Sequence, residues 1–365
     1  MGARERSLES LVTAMDYSYF KGRRVLVTGI TGFKGSWLCC ILQNLGAEVS
    51  GFGLVPHTDP SLYELLQLSE CSNTTIADIR DGEAVKEAFD RFEPEVVLHL
   101  AAQPIVRDGY KQPVYTYETN VMGTVNVCEC VRTSGSVVSF LNVTTDKVYL
   151  NREDESVAYR EEDPLDGYDP YSNSKSCSEL VTHSYDKSFL REAGVAVSTA
   201  RAGNVIGGGD FSNDRIICDC VRSVISGRTI VVRNPDSTRP YQHVLEPLFA
   251  YLVIAQEQAK DASLAGCYNV GPDECDCVDT GSLVKLFCSK WGEGARWRVE
   301  SDGGPHEASF LKLDSGKLKN AFGWVPRWHI EDAVEKTVEW TKAWQAGDDL
   351  RGVVDRQIDD YMKGM

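Results

Sequence analysis

The sequence has little positive charge and no long hydrophobic run. Its 365 residues include 38 Lys and Arg against 54 Asp and Glu, which gives a formal net charge of −16. Such a chain lacks the basic surface that a nucleic-acid polymer or an anionic lipid surface would require. No segment approaches the roughly 18 consecutive apolar residues of a membrane span. We therefore expect neither nucleic acid nor membranes as partners, whereas a small phosphorylated ligand held by local groups is allowed.

Signals for metal binding and for disulfides are also weak. There are only 6 His, and none of the 12 Cys forms a C-x-x-C pair. The first 20 residues lack the apolar segment of a secretory signal. These features predict no metal, reduced thiols and a cytoplasmic location. Paired cysteines inside apolar segments are expected to act as small buried hydrophobic residues; the pairs are Cys39-Cys40, Cys128/Cys130, Cys218/Cys220 and Cys275/Cys277.

Short apolar segments alternate with amphipathic ones through the first 200 or so residues. This alternation is typical of a parallel sheet covered by helices on both faces, and right-handed crossovers make it doubly wound. After Asn204 the rhythm becomes irregular. The predicted fold class is α/β, a Rossmann-type doubly wound parallel sheet with a smaller mixed α/β substrate lobe. The predicted strands are 24–29, 47–52, 74–77, 95–100, 137–143 and 195–200, and the main helices are 36–45, 82–92, 120–134 and 171–193.

A glycine-rich turn follows the first predicted strand and opens the first helix. Gly29, Gly32 and Gly35 have the spacing that lets a backbone turn tightly and approach a pyrophosphate at a helix N-terminus. The alternative is a tight turn with only a structural role. The second strand ends without the acidic residue that usually binds the ribose hydroxyls, and without an Arg for a 2′-phosphate. The turn predicts a dinucleotide cofactor, with NAD favoured over NADP.

This turn and the change of rhythm suggest the domain boundaries. An N-terminal extension (1–20) precedes an NAD-binding domain (21–205), to which a strand and a helix around 240–270 return. The substrate-binding lobe combines two segments, and a C-terminal tail follows it. The lobe segments are 206–239 and 271–347, and the tail is 348–365.

Tyr171 and Lys175 form a Tyr-x-x-x-Lys pair on one face of a predicted helix. An ammonium beside a phenol would lower the phenol pKa from about 10, which would make Tyr171 a general base near neutral pH. A lone pair of this kind is often only a solvated surface pair. Thr145, just after the fifth strand, strengthens the catalytic interpretation because such strand ends face the ligand crevice.

Together these segments resemble the extended short-chain dehydrogenase/reductases that act on nucleotide sugars. The resemblance rests on the glycine turn, Leu100 to Gln103, Thr145 and the Tyr171/Lys175 pair. Thr145-Asp146-Lys147 is similar to the dehydratase branch, and to its CDP-glucose 4,6-dehydratases rather than to members with Thr-Asp-Glu. The resemblance covers about residues 20–328. Further matching segments are 32–38, 102–107, 120–124, 201–210 and 234–244.

The resemblance implies conversion of CDP-glucose to CDP-4-keto-6-deoxyglucose with recycled NAD. Carbon 4 is oxidised, water is eliminated across carbons 5 and 6, and hydride returns to carbon 6. Tyr171 would deprotonate the carbon-4 hydroxyl, which Thr145 holds. Asp146 would be the acid for the departing carbon-6 hydroxyl, and Lys147, rather than Asp146, the base at carbon 5. The alternative is that Asp146 and Lys147 form only a supporting salt bridge.

The resemblance also implies binding residues and partners. The partner is a nucleoside-diphosphate glucose, and a homodimer or homotetramer is expected through about 122–132 and 174–190. The expected cofactor-binding residues are Gly29, Thr31, Gly32, Phe33, Gly35, Asp78, Leu100, Ala101, Ala102, Tyr171 and Lys175. The expected substrate-binding residues are Gln103, Asn204, Arg215 and Arg239, the last as a phosphate ligand.

Two other functions share the fold. A nucleotide-sugar epimerase or reductase would use Tyr171 and Lys175 but would not need Asp146 and Lys147. A non-catalytic dinucleotide-binding protein would tend to lose the Tyr or the Lys, whereas this chain has both.

Overall fold

The computed structural model describes residues 16–154, 156–300 and 310–364. Most of the predicted N-terminal extension, and residues 301–309 of the predicted lobe, lie outside the described residues. The strands are β1 (Arg24–Thr28), β2 (Glu48–Gly53), β3 (Asn73–Ile76), β4 (Val96–His99), β5 (Ser139–Val143), β6 (Ala196–Ala202), β7 (Val205–Ile206), β8 (Ile230–Val232), β9 (Thr238–Pro240), β10 (Gln242–His243), β11 (Cys267–Val270), β12 (Cys277–Asp279) and β13 (Trp297–Val299).

Helices connect these strands. They are α1 (Phe33–Asn44), α2 (Leu62–Leu65), α3 (Gly82–Phe92), α4 (Val106–Lys111), α5 (Pro113–Tyr117), α6 (Gly123–Thr133), α7 (Pro170–Tyr185), α8 (Ile216–Ile225), α9 (Leu245–Lys260), α10 (Thr280–Trp291), α11 (Gly316–Phe322), α12 (Ile330–Ala346) and α13 (Leu350–Lys363). The single helix predicted over 171–193 is instead α7 followed by a π-helical segment, Asp186–Leu190.

Seven parallel strands form the central sheet in the order β3-β2-β1-β4-β5-β6-β11. The inner strands are buried along their whole length, because helices cover both faces of the sheet, and most of their residues are apolar. One face packs against α1 and α9, with α13 lying against α1, and the other face packs against α3, α6 and α7. The predicted doubly wound α/β fold is thereby confirmed. The strand order reverses between β1 and β4, which opens a crevice at their carboxyl ends.

A second, smaller core lies beyond this sheet. It is formed by side chains of α8, β8, α10 and the first half of α12. Further along α12, Trp340 belongs to the core of the main sheet. One helix therefore connects the two cores.

The segment expected to be a C-terminal tail is the helix α13. Its residues Leu350, Val354 and Ile358 recur every four positions and are buried in the main core. Arg351 donates to Gln43 Oε1 at 2.9 Å and to Asn44 Oδ1 at 3.0 Å on α1. The segment thus packs against α1 and is part of the main core.

The cysteines test the expectation that paired cysteines are buried. All 12 cysteines are unpaired thiols, and those at positions 39, 40, 128, 130, 218 and 220 are buried as predicted. Cys275 is exposed and Cys277 only partly buried, so the expectation of burial is wrong for that pair.

Among the described helices, none is both long enough and apolar enough to cross a membrane.

Glu246 on α9 is a fully buried carboxylate that links three parts of the chain. It accepts from the Arg327 and Trp328 amides at 3.0 and 2.7 Å, and from Tyr361 Oη at 2.9 Å. Burial raises its pKa to about 7, and these hydrogen bonds offset part of that effect. The folded state therefore binds a proton more tightly than the unfolded state. The contribution of this tighter proton binding to the free energy of unfolding is fully present at low pH. It is lost as the pH rises through about 7.

Glu246→Gln should remove this pH dependence because the amide does not titrate. Between about pH 6 and pH 9, we expect the wild type to lose roughly 1.4 kcal/mol of unfolding free energy relative to the variant. Urea unfolding at the two pH values measures the difference. Glu335→Gln changes an exposed carboxylate paired with Lys290 and should follow the wild type. Parallel pH dependences for wild type and Glu246→Gln would contradict this prediction.

Candidate active site

The glycine turn at the end of β1 leaves no room for side chains. Gly29 has φ +75°, and a Cβ there would lie 2.8 Å from the Ala101 amide nitrogen. A Cβ on Gly35 would lie 2.2 Å from Gly29 O. Gly32, the N-cap residue of α1, has no side chain to cap the first-turn N–H groups. This cradle fits a pyrophosphate, which those N–H groups and the helix dipole would bind.

The segment after β4 is held against the turn. Thr28 Oγ1 accepts from the Leu100 and Ala101 amides, both at 3.2 Å, and lies 2.7 Å from His99 Nδ1. Thr31 Oγ1 donates to Leu54 O at 2.8 Å, at the end of β2. Three groups of expected cofactor-binding residues therefore meet at one edge of the sheet. They are the glycines of the turn, Thr31, and the segment from Leu100 to Ala102.

Asp78 lies just after β3, and its carboxylate is bound by Arg80. Three contacts of 2.8 to 3.1 Å join the guanidinium to both carboxylate oxygens. The hydrogen bonds from Arg80 lower the pKa of Asp78. The expected role of Asp78 in cofactor binding remains a prediction.

Tyr171 and Lys175 lie in the first turns of α7 and are 9% and 4% exposed. The Asp169 carboxylate caps this helix by accepting from the Tyr171 and Ser172 amides at 3.0 and 3.1 Å. Lys175 Nζ donates to Val143 O at 3.0 Å. Lys175 is thus fixed at the carboxyl end of β5.

The expected lowering of the Tyr171 pKa is wrong for the protein alone. Burial raises this pKa to about 12, against a smaller lowering by the hydrogen bond with Thr145. Burial also lowers the pKa of Lys175 to about 8, and Glu179 opposes that shift. Lys175 Nζ is bonded to Val143 O, and burial of the phenol is the largest effect on the Tyr171 pKa.

Thr145, Asp146 and Lys147 follow β5 directly. Thr145 Oγ1 donates to Asp146 Oδ1 at 2.9 Å and caps a short 3-10 helix, Asp146–Val148. Lys147 Nζ is 3.4 Å from Asp146 Oδ1 and 3.5 Å from Asn204 Oδ1. The alternative ion pair is therefore present, and Asn204 joins the same group of side chains.

Asp146 has a second feature that an ion pair does not explain. It is 1% exposed, and among the described residues its Oδ2 has no hydrogen-bond partner. An unsatisfied buried carboxylate oxygen is costly and is typical of a functional site. This oxygen is free to exchange a proton or hydrogen bond with a substrate.

The remaining expected substrate residues differ in their surroundings. Arg215 precedes α8, with Nη1 3.3 Å from Asp210 Oδ2, and its charge acts on Tyr171. Gln103 has both ends of its amide engaged, donating to Thr116 Oγ1 at 2.9 Å and accepting from the Ile105 amide at 2.6 Å. Arg239, on β9, is 6% exposed and donates to Thr238 O at 3.0 Å. The substrate roles of these residues remain predictions.

Lys34 belongs to the crevice although sequence reasoning assigned it no role. It is partly buried in the first turn of α1, and burial lowers its pKa to about 7. The positive charges of Arg215 and Lys175 lower it further, while Asp146 and Asp210 raise it. A cation is unfavourable at a helix N-terminus, so a lysine inside the glycine turn was the signal that could have identified it.

The fold and the site together define an extended short-chain dehydrogenase/reductase. The family model described as GDP-mannose 4,6 dehydratase matches residues 26–337, and the chain belongs to that family. The membership that the motifs implied is thus confirmed.

Two individual proteins are similar to this chain over most of their length. The chain is 45% identical over 354 residues to the CDP-glucose 4,6-dehydratase of Salmonella typhimurium, covering 95% of this chain and 98% of that protein. It is 28% identical over 336 residues to a probable dTDP-glucose 4,6-dehydratase of Sinorhizobium fredii, covering 87% and 92%.

Solved structures show the same fold. The Thermus thermophilus UDP-glucose 4-epimerase in complex with NAD has a TM-score of 0.75 at 25% identity, over 87% of this chain and 99% of that one. The Bacillus anthracis dTDP-glucose 4,6-dehydratase in complex with NAD has a TM-score of 0.74 at 20% identity, over 90% and 100%.

Proposed function

We propose that the protein is a nucleotide-sugar 4,6-dehydratase that converts CDP-glucose to CDP-4-keto-6-deoxyglucose with NAD. The observation that carries this proposal is the buried Asp146 carboxylate beside Lys147, at the same strand end as Tyr171 and Lys175. An oxidation at carbon 4 needs the Tyr and the Lys, whereas an elimination needs an additional acid and base. The 45% identity to a CDP-glucose 4,6-dehydratase supports cytidine as the nucleoside.

The cofactor would lie along the glycine turn. Gly29 and Gly35 leave space for its pyrophosphate, and the backbone from Leu100 to Ala102 borders the same edge. Bound NAD⁺ would accept hydride from carbon 4 and return it to carbon 6. The relatives with NAD in their structures support this choice of cofactor.

The chain's own groups move the protons. Tyr171 takes the proton of the carbon-4 hydroxyl, which Thr145 orients. Lys147 removes the carbon-5 proton, and Asp146 donates a proton to the departing carbon-6 hydroxyl. The 3.4 Å between Lys147 Nζ and Asp146 Oδ1 allows the two groups to exchange that proton between turnovers. The division of roles between them remains a prediction.

A 4-epimerase is the second candidate, because proteins of that activity share the fold. Mass spectrometry after incubation with NAD⁺ and CDP-, dTDP-, UDP- or GDP-glucose separates the functions. We expect loss of one water from CDP-glucose with no net reduction of cofactor. An unchanged mass with inverted carbon 4 would indicate an epimerase. No change with any of the four would favour a dinucleotide-binding protein. A homodimer or homotetramer and a cytoplasmic location remain predictions.

A further inference from the structure

A buried ion pair lies one helical turn beyond Lys175. Glu179 on α7 is 0% exposed and Arg201 on β6 is 1% exposed, and Oε2 lies 2.9 Å from Nη2. Two charges this deeply buried are costly unless their remaining hydrogen bonds are satisfied. Among the described residues, every polar atom of the pair except Arg201 Nε has a partner, and these partners show which parts of the protein the pair connects.

The carboxylate of Glu179 binds the residue just before the catalytic segment, by which we mean Thr145 to Val148. Thr144 Oγ1 donates to its Oε1 at 2.5 Å, and Thr199 Oγ1 donates to its Oε2 at 2.7 Å. Thr144 immediately precedes Thr145. Glu179 therefore connects the helix of Tyr171 to the end of β5 and to the middle of β6.

The guanidinium of Arg201 binds the residue just after that segment. Its Nη1 donates to Tyr149 Oη at 2.9 Å and to Glu161 O at 3.0 Å. Tyr149 follows Val148, the last residue of the short helix that carries Asp146 and Lys147. The ion pair thus holds both flanks of the catalytic segment, which runs from Thr145 to Val148.

Glu179 also acts on Lys175 by its charge. Tyr171 lies one turn before Lys175 on α7. The titratable groups with an electrostatic effect shared with Lys175 are Glu179 on α7, His99 on β4 and Lys34 on α1. Burial lowers the pKa of His99 to about 3, so its ring is neutral. Glu179 supplies a negative charge among these groups and opposes the loss of the Lys175 proton.

A metal ion is a poorer explanation for this cluster. Glu179, His183 and Cys267 have potential ligand atoms within 4.8 Å of one another. However, both oxygens of Glu179 already accept hydrogen bonds, and Arg201 places a cation beside them. The arrangement suits an anion–cation pair better than a bound cation.

We propose that Glu179, paired with Arg201, is a positioning residue of this enzyme: it fixes both flanks of the catalytic segment and supports the ammonium of Lys175. The inference rests on the proposed dehydratase function for its kinetic consequences, but the state of Lys175 can be measured without substrate.

Glu179→Gln tests the proposal because it keeps the shape and removes the charge. We expect kcat at neutral pH to fall about 10- to 100-fold. In the pH profile of kcat, the alkaline limb, where activity is lost as the pH rises, should move down by roughly one pH unit. Since the variant leaves Arg201 unpaired, the double variant Glu179→Gln/Arg201→Gln is the second test; it removes both charges and should keep the shifted limb. Glu246→Gln, the loss of another buried carboxylate, should leave the profile unchanged.

A substrate-free NMR titration of the Lys175 ammonium, assigned with Lys175→Arg, gives the independent readout. We expect a lower pKa in both Glu179 variants than in the wild type. A wild-type titration of Lys175 in a folded variant would overturn the proposal, as would an unshifted alkaline limb. Absence of turnover by the wild type with every nucleoside-diphosphate glucose would refute the proposed function instead, and the titration would still decide the role of Glu179.

Discussion

Tyr171→Phe should lower kcat by about 10²- to 10⁴-fold, which is the contribution of a well-placed general base. The substitution removes one oxygen from a side chain that is only 9% exposed, so the packing around α7 should survive. It also removes the hydrogen bond between Thr145 and the phenol. Without the phenol, the carbon-4 hydroxyl has no acceptor for its proton, and oxidation at carbon 4 should stop.

The measurement is the absorbance of reduced cofactor after rapid mixing of NAD⁺-loaded enzyme with CDP-glucose. Tyr171→Phe should give no reduction within many wild-type turnovers. Tyr185→Phe changes a tyrosine at the far end of the same helix and should behave as the wild type. If Tyr171→Phe reduced the cofactor at a rate near that of the wild type, the assignment of Tyr171 as the base would fail.

Asp146→Asn should separate the two halves of the reaction. An amide can still accept from Thr145 Oγ1 as the carboxylate does at 2.9 Å, so the catalytic segment should keep its shape. It cannot donate a carboxyl proton to the departing carbon-6 hydroxyl. We expect oxidation at carbon 4 to remain within about tenfold of the wild type, and overall turnover to fall about 10²- to 10³-fold.

Rapid quenching in deuterated solvent measures both steps. Asp146→Asn should accumulate reduced cofactor and the 4-keto sugar while still exchanging the carbon-5 hydrogen with solvent. Lys147→Met should also accumulate them but without that exchange, because Lys147 is assigned as the base. Full turnover by Asp146→Asn would remove Asp146 as the acid, and exchange by Lys147→Met would remove Lys147 as the base.

The sheet was predictable because its buried parallel strands are short, mostly apolar segments that alternate with amphipathic helices. Right-handed crossovers between such strands then place helices on both faces of the sheet. The helix α13 was not predicted, although its apolar residues recur at helical spacing. Its partners on α1, Gln43 and Asn44, lie some 300 residues earlier in the chain, and the matching motifs end before it.

The candidate site was predictable in its residues and less so in its electrostatics. The motifs identify Tyr171, Lys175 and Asp146 because chemistry requires those residue types at strand and helix ends. They do not show how deeply each group is buried, and burial decides the pKa of Tyr171. Nor do they show that the Gln103 amide donates to Thr116, since that depends on where α5 places Thr116.

The helix α12 has a consequence for how the protein unfolds. Its first half supplies Val334 and Val338 to the smaller core, and its second half supplies Trp340 to the larger one. A helix propagates order along its length because each residue is bonded to its neighbours one turn away. Unfolding of either core would therefore destabilise α12, on which the other core also depends. The two lobes should lose structure in one cooperative transition rather than as independent units.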